Sequence, residues 1–478
     1  MFSIINNIET LYPPLYCSYI KGEERVINFF NESSSGGNDD HAHRYKSLAE
    51  VNFPVETLKL LHDLNRTILG PYFKTPEKKL KDKRTVFVIT GQQPGLLAGP
   101  LFNLYKALTA VKFAEKLESK LKIPVQPLFW VAGDDHNIPG LLRIFVPAPA
   151  RGGPVKIHLP FPHFGPPASM VVPTQDSIDK VICHIESLTA DSDYKSQVME
   201  ILREKSNEPG SLGKWFMNIM SVFFARHGLL FFDPMQASSS GLYTSLLLQV
   251  LEEGSLIHER IADQDEKITG GGFPLQVVRT GQESFIMVIW NGRRYALYRE
   301  KERFVTRGRE LSLSRKELQD MIRQEPQRFS PNVFLRPVFQ DRLFPNMAYV
   351  PGPGEVAYFA QISGVYELFG LTMPPLHTRL GVTLVEPEIE EHLRSNHLSV
   401  EEVIIRAQRN RRIKTSSKTE TPVLEKLREN LWPRSMPQER VLNIIPYLIK
   451  YGFHFWEKFC EEFPVTAGHY SFYWGKDE

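Results

Sequence analysis

Two short stretches of this chain carry residue types able to do acid–base and anion-binding chemistry. One is Asp134-Asp135-His136, which follows the apolar run Phe129-Trp130-Val131-Ala132-Gly133. Adjacent carboxylates raise the pKa of a neighbouring imidazole and of one another, preparing an acid/base pair near neutral pH. The other is Gly91-Gln92-Gln93-Pro94-Gly95, continuing to Gly99, directly after Val86-Phe87-Val88-Ile89-Thr90. Its glycines permit a sharp turn, and Gln92 and Gln93 offer amide donors and acceptors. A helix N-terminus beyond it would present N–H groups to a phosphate or carboxylate. The same spacings also fit plainer roles, a ligand-free turn and a helix N-cap beside a surface histidine.

The elements that position these residues follow from periodicity. Val86 to Ile89 is continuously apolar, as in a strand covered on both faces. Leu101, Leu104, Leu108, Val111, Ala114, Leu117 and Leu121 then recur at steps of three and four, one face of a helix that Pro124 ends. Val125 to Val131 resumes a strand. So long a connection predicts a crossover helix between parallel strands, which brings both polar ends to one sheet edge. Gly228-Leu229-Leu230-Phe231-Phe232-Asp233-Pro234 repeats the pattern and adds Asp233 to that edge. A second glycine turn, Gly352-Pro353-Gly354-Glu355, precedes a helix from Val356 to about Phe369. Glu355 there either binds a substrate amine or stabilises the first helical turn through the macrodipole.

Composition narrows the class. The 478 residues exceed what one simple core sustains, so an elaborated α/β domain or several domains are expected. A net charge of +2 gives no reason to expect nucleic acid or a membrane surface as partner. No apolar run approaches the roughly 20 residues of a membrane helix, and the first residues lack the order of a secretion signal. A cytoplasmic protein is expected. Cys17, Cys183 and Cys460 are far apart and outside any CxxC spacing, which points to neither disulfide nor zinc. Walker A, GxSxG, HExxH and GxGxxG patterns are all missing, which argues against a P-loop ATPase, a serine hydrolase, a zincin and a nicotinamide enzyme. No further ligand accompanies Asp134 and Asp135, so no metal is assigned.

The chain divides into a mostly helical segment (1–83), a first half-core (84–146), an insertion (147–215) and a core continuation (216–262). A β-rich and helical insertion (263–345), a second half-core (346–387) and a C-terminal helical region (388–478) follow. The polar stretch Asn31 to Asp40 reads as a loop, residues 147–168 as Pro/Gly-rich, and Arg409 to Thr421 as a linker. Asn291-Gly292 marks a hairpin.

Four collinear motifs are similar to those of the bacillithiol biosynthesis cysteine-adding enzymes, the cysteine ligases. They are Thr90 to Leu101, Phe129 to His136, Gly352 to Tyr358, and Thr383-Leu384-Val385-Glu386. Weaker similarity extends to Asn332-Val333, Arg336-Pro337 and Gln340, and to Gln438-Glu439-Arg440 with Asn443, Tyr451 and Gly452. The resemblance implies a Rossmann-like parallel-sheet core akin to class I nucleotidyltransferases, with connecting insertions and a helical coiled coil. It further implies that cysteine is joined to the glucosamine amine of glucosaminyl malate, through an adenylate or phosphate, with ATP or another nucleotide as energy source. The implied site comprises Gly91, Gln92, Gln93, Gly95, Gly99, Asp134, Asp135, His136, Gly352, Gly354 and Glu355. In it His136 acts as base, the glycine-loop N–H groups and Lys106 steady an anion, and Arg336 pairs with a carboxylate.

Two departures qualify the resemblance. Asn137-Ile138-Pro139-Gly140 stands where the family continues with acids. Between Glu386 and Gln438 the space is short and contains Pro422, so the long coiled coil is mostly lost, and a homodimer built on it is disfavoured. A nucleotidyltransferase of the same fold, or a degenerate paralogue that binds a sugar acid or nucleotide, remains as an alternative.

Overall fold

The structure, a computed structural model, describes residues 1–30, 38–147, 153–161, 165–207, 210–412 and 422–475. The chain opens on β1 (Phe2–Ile5) and continues through helices to β2 (Val86–Gln92). The helix Leu101–Leu121 ends at Lys122 in the left-handed region and leads to β3 (Val125–Val131). β4 (Arg143–Val146) and β5 (Val155–His158) form an antiparallel ribbon. β6 (Leu230–Phe232) follows, and Asp233 directly after it N-caps the helix Pro234–Ser239. β7 (Glu283–Trp290), β8 (Arg293–Glu300), β9 (Arg303–Thr306), β10 (Ser312–Ser314) and β11 (Phe329–Pro331) lie in one antiparallel sheet. β12 (Asn346–Val350), β13 (Gly381–Val385) and β14 (His469–Tyr473) complete the strands among the described residues.

The core is a four-stranded parallel sheet ordered β12-β2-β3-β6. β2 and β3 are buried almost throughout, which explains their unbroken apolar runs. The chain leaves β2 toward β3 and β6, then returns much later to place β12 on the other flank. The strand order therefore reverses between β2 and β12. In open α/β sheets that reversal opens a crevice at the carboxyl ends, where ligands bind.

The expected α/β, Rossmann-like character is thus observed, and so is the Asn291-Gly292 hairpin, with positive φ at both turn residues. Other expectations need correction. β13, read with the second half-core, belongs instead to a separate sheet ordered β1-β14-β13. That sheet also converts the first and last segments, read as helical, into strands at both ends. Single short strands at the termini carry too few residues to show a period. The polar stretch at 31–40 lies outside the described residues up to 37, and a helix starts at Asn38. Parts of the 147–168 and 409–421 stretches likewise lie outside them. In place of a long coiled coil, the helices Val400–Arg412 and Pro422–Leu431 pack on one another. No described helix is long and apolar enough to cross a membrane.

Candidate active site

At the strand reversal lies a cavity of about 210 Å³, bordered by residues from five separate stretches of chain. Gly91, Gln92 and Gln93 come from the end of β2, and Trp130, Ala132, Asp134 and Asp135 from the end of β3. Glu355 and Tyr358 come from the helix Pro353–Ile362 that follows β12, and Arg336 from the helix Arg336–Leu343. The antiparallel sheet supplies Arg294 from β8 and Pro331 from the end of β11, with Asn332 and Val333 just beyond it.

Close backbone packing explains the first glycine. Gly91 pairs with Trp130 across β2 and β3, and a Cβ on it would sit 2.9 Å from the Trp130 carbonyl oxygen. Beyond Gln93 the loop turns inward. Leu96, Leu97 and Ala98 are buried, and Asn443 Nδ2 donates to the Leu97 and Gly99 carbonyls at 2.9 and 2.7 Å. Gly95 and Gly99 accordingly do not border the cavity, contrary to a nine-residue anion loop. Gly99 adopts φ +70°, which permits the turn into the helix.

The loop after β3 is held by backbone bonds from Ala168 to the Asp135 carbonyl and from Ser169 to the Gly133 carbonyl, both 2.8 Å. Asp135 borders the cavity and accepts from Gln93 Nε2 at 2.6 Å and from the Asn137 N–H at 2.8 Å. Asp134, 6% exposed, is paired with Arg294. Beneath them Asp233 accepts from Ser169 and from the Met235 N–H. Burial, with Asp134 nearby, pushes Asp233 up to about 6 against those hydrogen bonds.

His136 departs from expectation in two respects. It is exposed and does not border the cavity. Its pKa is lowered rather than raised, because partial desolvation and the Arg294 charge outweigh Asp135 and Asp134. The imidazole is therefore neutral at pH 7, the form a base requires.

On the opposite wall, Glu355 is enclosed by donors. Its Oε2 accepts from the Gly352 N–H at 2.7 Å and from Lys106, and its Oε1 from Tyr349 and Tyr358 at 2.7 and 3.3 Å. Burial favours its neutral form, but Lys106 and Arg336 together hold its pKa below the usual range. Glu355 caps its helix, as one of the two roles considered for it requires, and it also borders the cavity. Gly352 and Gly354 only shape this turn. Lys106 is 1% exposed and bonds to the Gly91 carbonyl and Glu355, so it reaches no external anion. Arg336 does border the cavity, with Tyr358 at 2.5 Å and Gln340 at 3.1 Å.

The residue most clearly missed is Arg294. It follows a hairpin turn in an insertion, where spacing carries no sign that its sheet packs over the β3 edge. Asn332, Val333, Tyr358 and Trp130 stood within the motifs but without a role. The Trp130 indole N–H is buried and has no partner among the described residues, a donor that a bound ligand or water can use.

Known proteins resemble this chain over most of its length. Residues 3–380 match the model described as the bacillithiol biosynthesis BshC N-terminal Rossmann-like domain, and residues 405–473 that of its C-terminal coiled-coil domain. Three relatives carry the name "Putative cysteine ligase BshC". That of Natranaerobius thermophilus is 32% identical over 83% of this chain and 73% of its own length. That of Desulforamulus reducens is 30% identical over 81% and 72%, and that of Bacillus licheniformis 26% over 93% and 95%. A solved structure described as a "putative arginyl t-RNA synthetase" from Campylobacter jejuni covers 85% of this chain and 92% of its own. Its TM-score of 0.27 and 11% identity carry no argument.

Proposed function

The chain belongs to the bacillithiol biosynthesis BshC family, and on that premise we propose that it is a ligase joining L-cysteine to the glucosamine amine of glucosaminyl malate. The observation that carries this reading is the convergence of Gly91–Gln93, Asp134–Asp135, Arg336 and Glu355 on one cavity at the strand reversal. Amide formation needs an anchored carboxylate, an oriented amine and a group to take the amine proton as nitrogen attacks the activated cysteine carbonyl and the C–O bond to the activating group breaks, releasing AMP from an adenylate or phosphate from an acyl phosphate.

Arg336 anchors a carboxylate, Asp135 with Gln93 orients the amine, and neutral His136, on the same β3 loop but outside the cavity, takes the proton through one intervening water. A cavity of about 210 Å³ falls below the roughly 300–1,000 Å³ of pockets that enclose drug-sized ligands. It suits cysteine or one end of the acceptor, with the remainder of the reactants outside. ATP is the energy source to test first.

The experiment is incubation of purified protein with cysteine, glucosaminyl malate and ATP, followed by mass detection. Cysteinyl amide supports the ligase. An adenylylated sugar would instead establish a nucleotidyltransferase, and binding without product a non-catalytic paralogue.

A further inference from the structure

Lys106 lies at the second turn of the helix Leu101–Leu121, and its Nζ meets groups from two motifs, the Gly91 carbonyl and, at 3.5 Å, Gln92 Oε1 from the first and the Glu355 carboxylate from the second. Gly91 and Glu355 both border the cavity, whereas the ammonium itself is sealed away from solvent. Glu355 has a second cationic neighbour, since Arg336 Nη2 lies 3.9 Å from its Oε1. Between them stand Tyr349 and Tyr358, whose rings are 5.6 and 5.9 Å from the Arg336 guanidinium.

We infer that Lys106 is a positioning residue: by holding Glu355 against the end of β2, it keeps that carboxylate from closing on Arg336 and leaves the guanidinium directed to ligand. The inference rests on the ligase reading only for the choice of ligand. A buried carboxylate deprived of one cation turns to the nearest other, because an unpaired buried charge is costly. Removing Lys106 therefore converts Arg336 from a ligand anchor into the internal partner of Glu355.

Burial lowers Lys106 to about 8, with Glu355 opposing that shift and Arg379 and Arg336 adding to it. These are the charged groups that face it. As the lysine loses its proton, Glu355 is released toward Arg336 and ligand affinity falls.

The test uses full-length K106M, K106R and K106M/E355Q, read by calorimetric binding of L-malate and by KM and kcat for amide formation. In K106M, malate affinity falls and acceptor KM rises, each about tenfold, as expected for loss of one good arginine–carboxylate contact. kcat changes less. K106M/E355Q restores affinity to within about threefold of the wild type, because a neutral amide does not neutralise Arg336. The wild type loses malate affinity as pH rises through about 8, and K106R does not.

A purely structural lysine would lower the thermal midpoint of K106M and leave malate affinity, KM and the pH profile of the folded protein unchanged. That result overturns the inference, as does a double variant that binds no better than K106M. Should K106M not fold, the double variant decides alone, near-normal binding supporting the inference and lost binding overturning it. Amide formation by a wild type that binds no malate overturns the inference and spares the ligase reading. Malate binding that follows Lys106 without any amide product does the reverse.

Discussion

Arg294 Nη2 lies 2.7 Å from Asp134 Oδ2, and this contact joins an inserted antiparallel sheet to the end of a core strand 160 residues earlier. The same guanidinium donates to the Ser330 hydroxyl and the Pro331 carbonyl at 2.9 and 3.0 Å. The side chains of both partners are 9% exposed.

Arg294→Ala leaves Asp134 as a buried, uncompensated carboxylate, at a cost of about 3–5 kcal/mol for a fully buried pair. The residual exposure places the loss toward the lower figure. Arg294→Lys keeps the charge but not the three-way contact, and recovers part of it. Urea denaturation measures both, and an unchanged midpoint for Arg294→Ala would show that water already satisfies Asp134.

The neutrality of His136 at pH 7 sets the shape of the rate profile. Because its pKa lies below the ordinary 6.5, kcat at saturating acceptor should be flat from about pH 6.5 up to the Lys106 transition near 8 and decline in acid. His136→Ala lowers the rate about 10²-fold or more, as expected for a lost general base, and removes that acid limb. Initial rates across the range check both, and normal product from the folded variant would remove His136 from the reaction.

Asp233 stores a pH-dependent strain. Its pKa is raised from 3.8 to about 6, so between these values the folded chain holds more protons than the unfolded one. Stability attributable to Asp233 is therefore present at low pH and lost as pH rises through about 6. Asp233→Asn keeps a capping oxygen for the Met235 N–H and abolishes the charge. Relative to wild type it should gain on the order of 2–3 kcal/mol between acid and neutral pH, at most. Asp341, also raised to about 6, titrates in both proteins and cancels in the comparison. A pH-independent difference would end this account.

The terminal sheet depends on one buried ion pair. Arg379 donates to both Glu439 oxygens, at 3.0 and 2.6 Å, and Glu439 also accepts from the Val382 N–H at 3.1 Å. The two side chains are 3% and 0% exposed. Glu439→Ala strands a buried guanidinium, with a loss of about 3–5 kcal/mol. Amide protons of β13 and β14 should lose hydrogen-exchange protection before those of β2 and β3; equal loss in all four would show that the two sheets unfold as one.

The sequence by itself determined the βαβ unit at 86–131, both glycine turns, the Asp134-Asp135 pair and the family. Each is a local pattern: unbroken apolar runs, a three-four helical step, or small residues where backbones touch, as at Gly91 against Trp130. Tertiary structure alone decided which polar groups meet. Arg294 enters from an insertion, Lys106 turns inward to Glu355, Leu97 and Gly99 are tied to Asn443, and His136 stays outside the cavity. The direction of the His136 pKa shift reversed for the same reason, since desolvation, joined by the charge of Arg294 from far away in the chain, outweighs its two neighbouring carboxylates. Local order follows from periodic burial along the backbone. The site follows from desolvation and charge across long loops, which spacing along the chain does not encode.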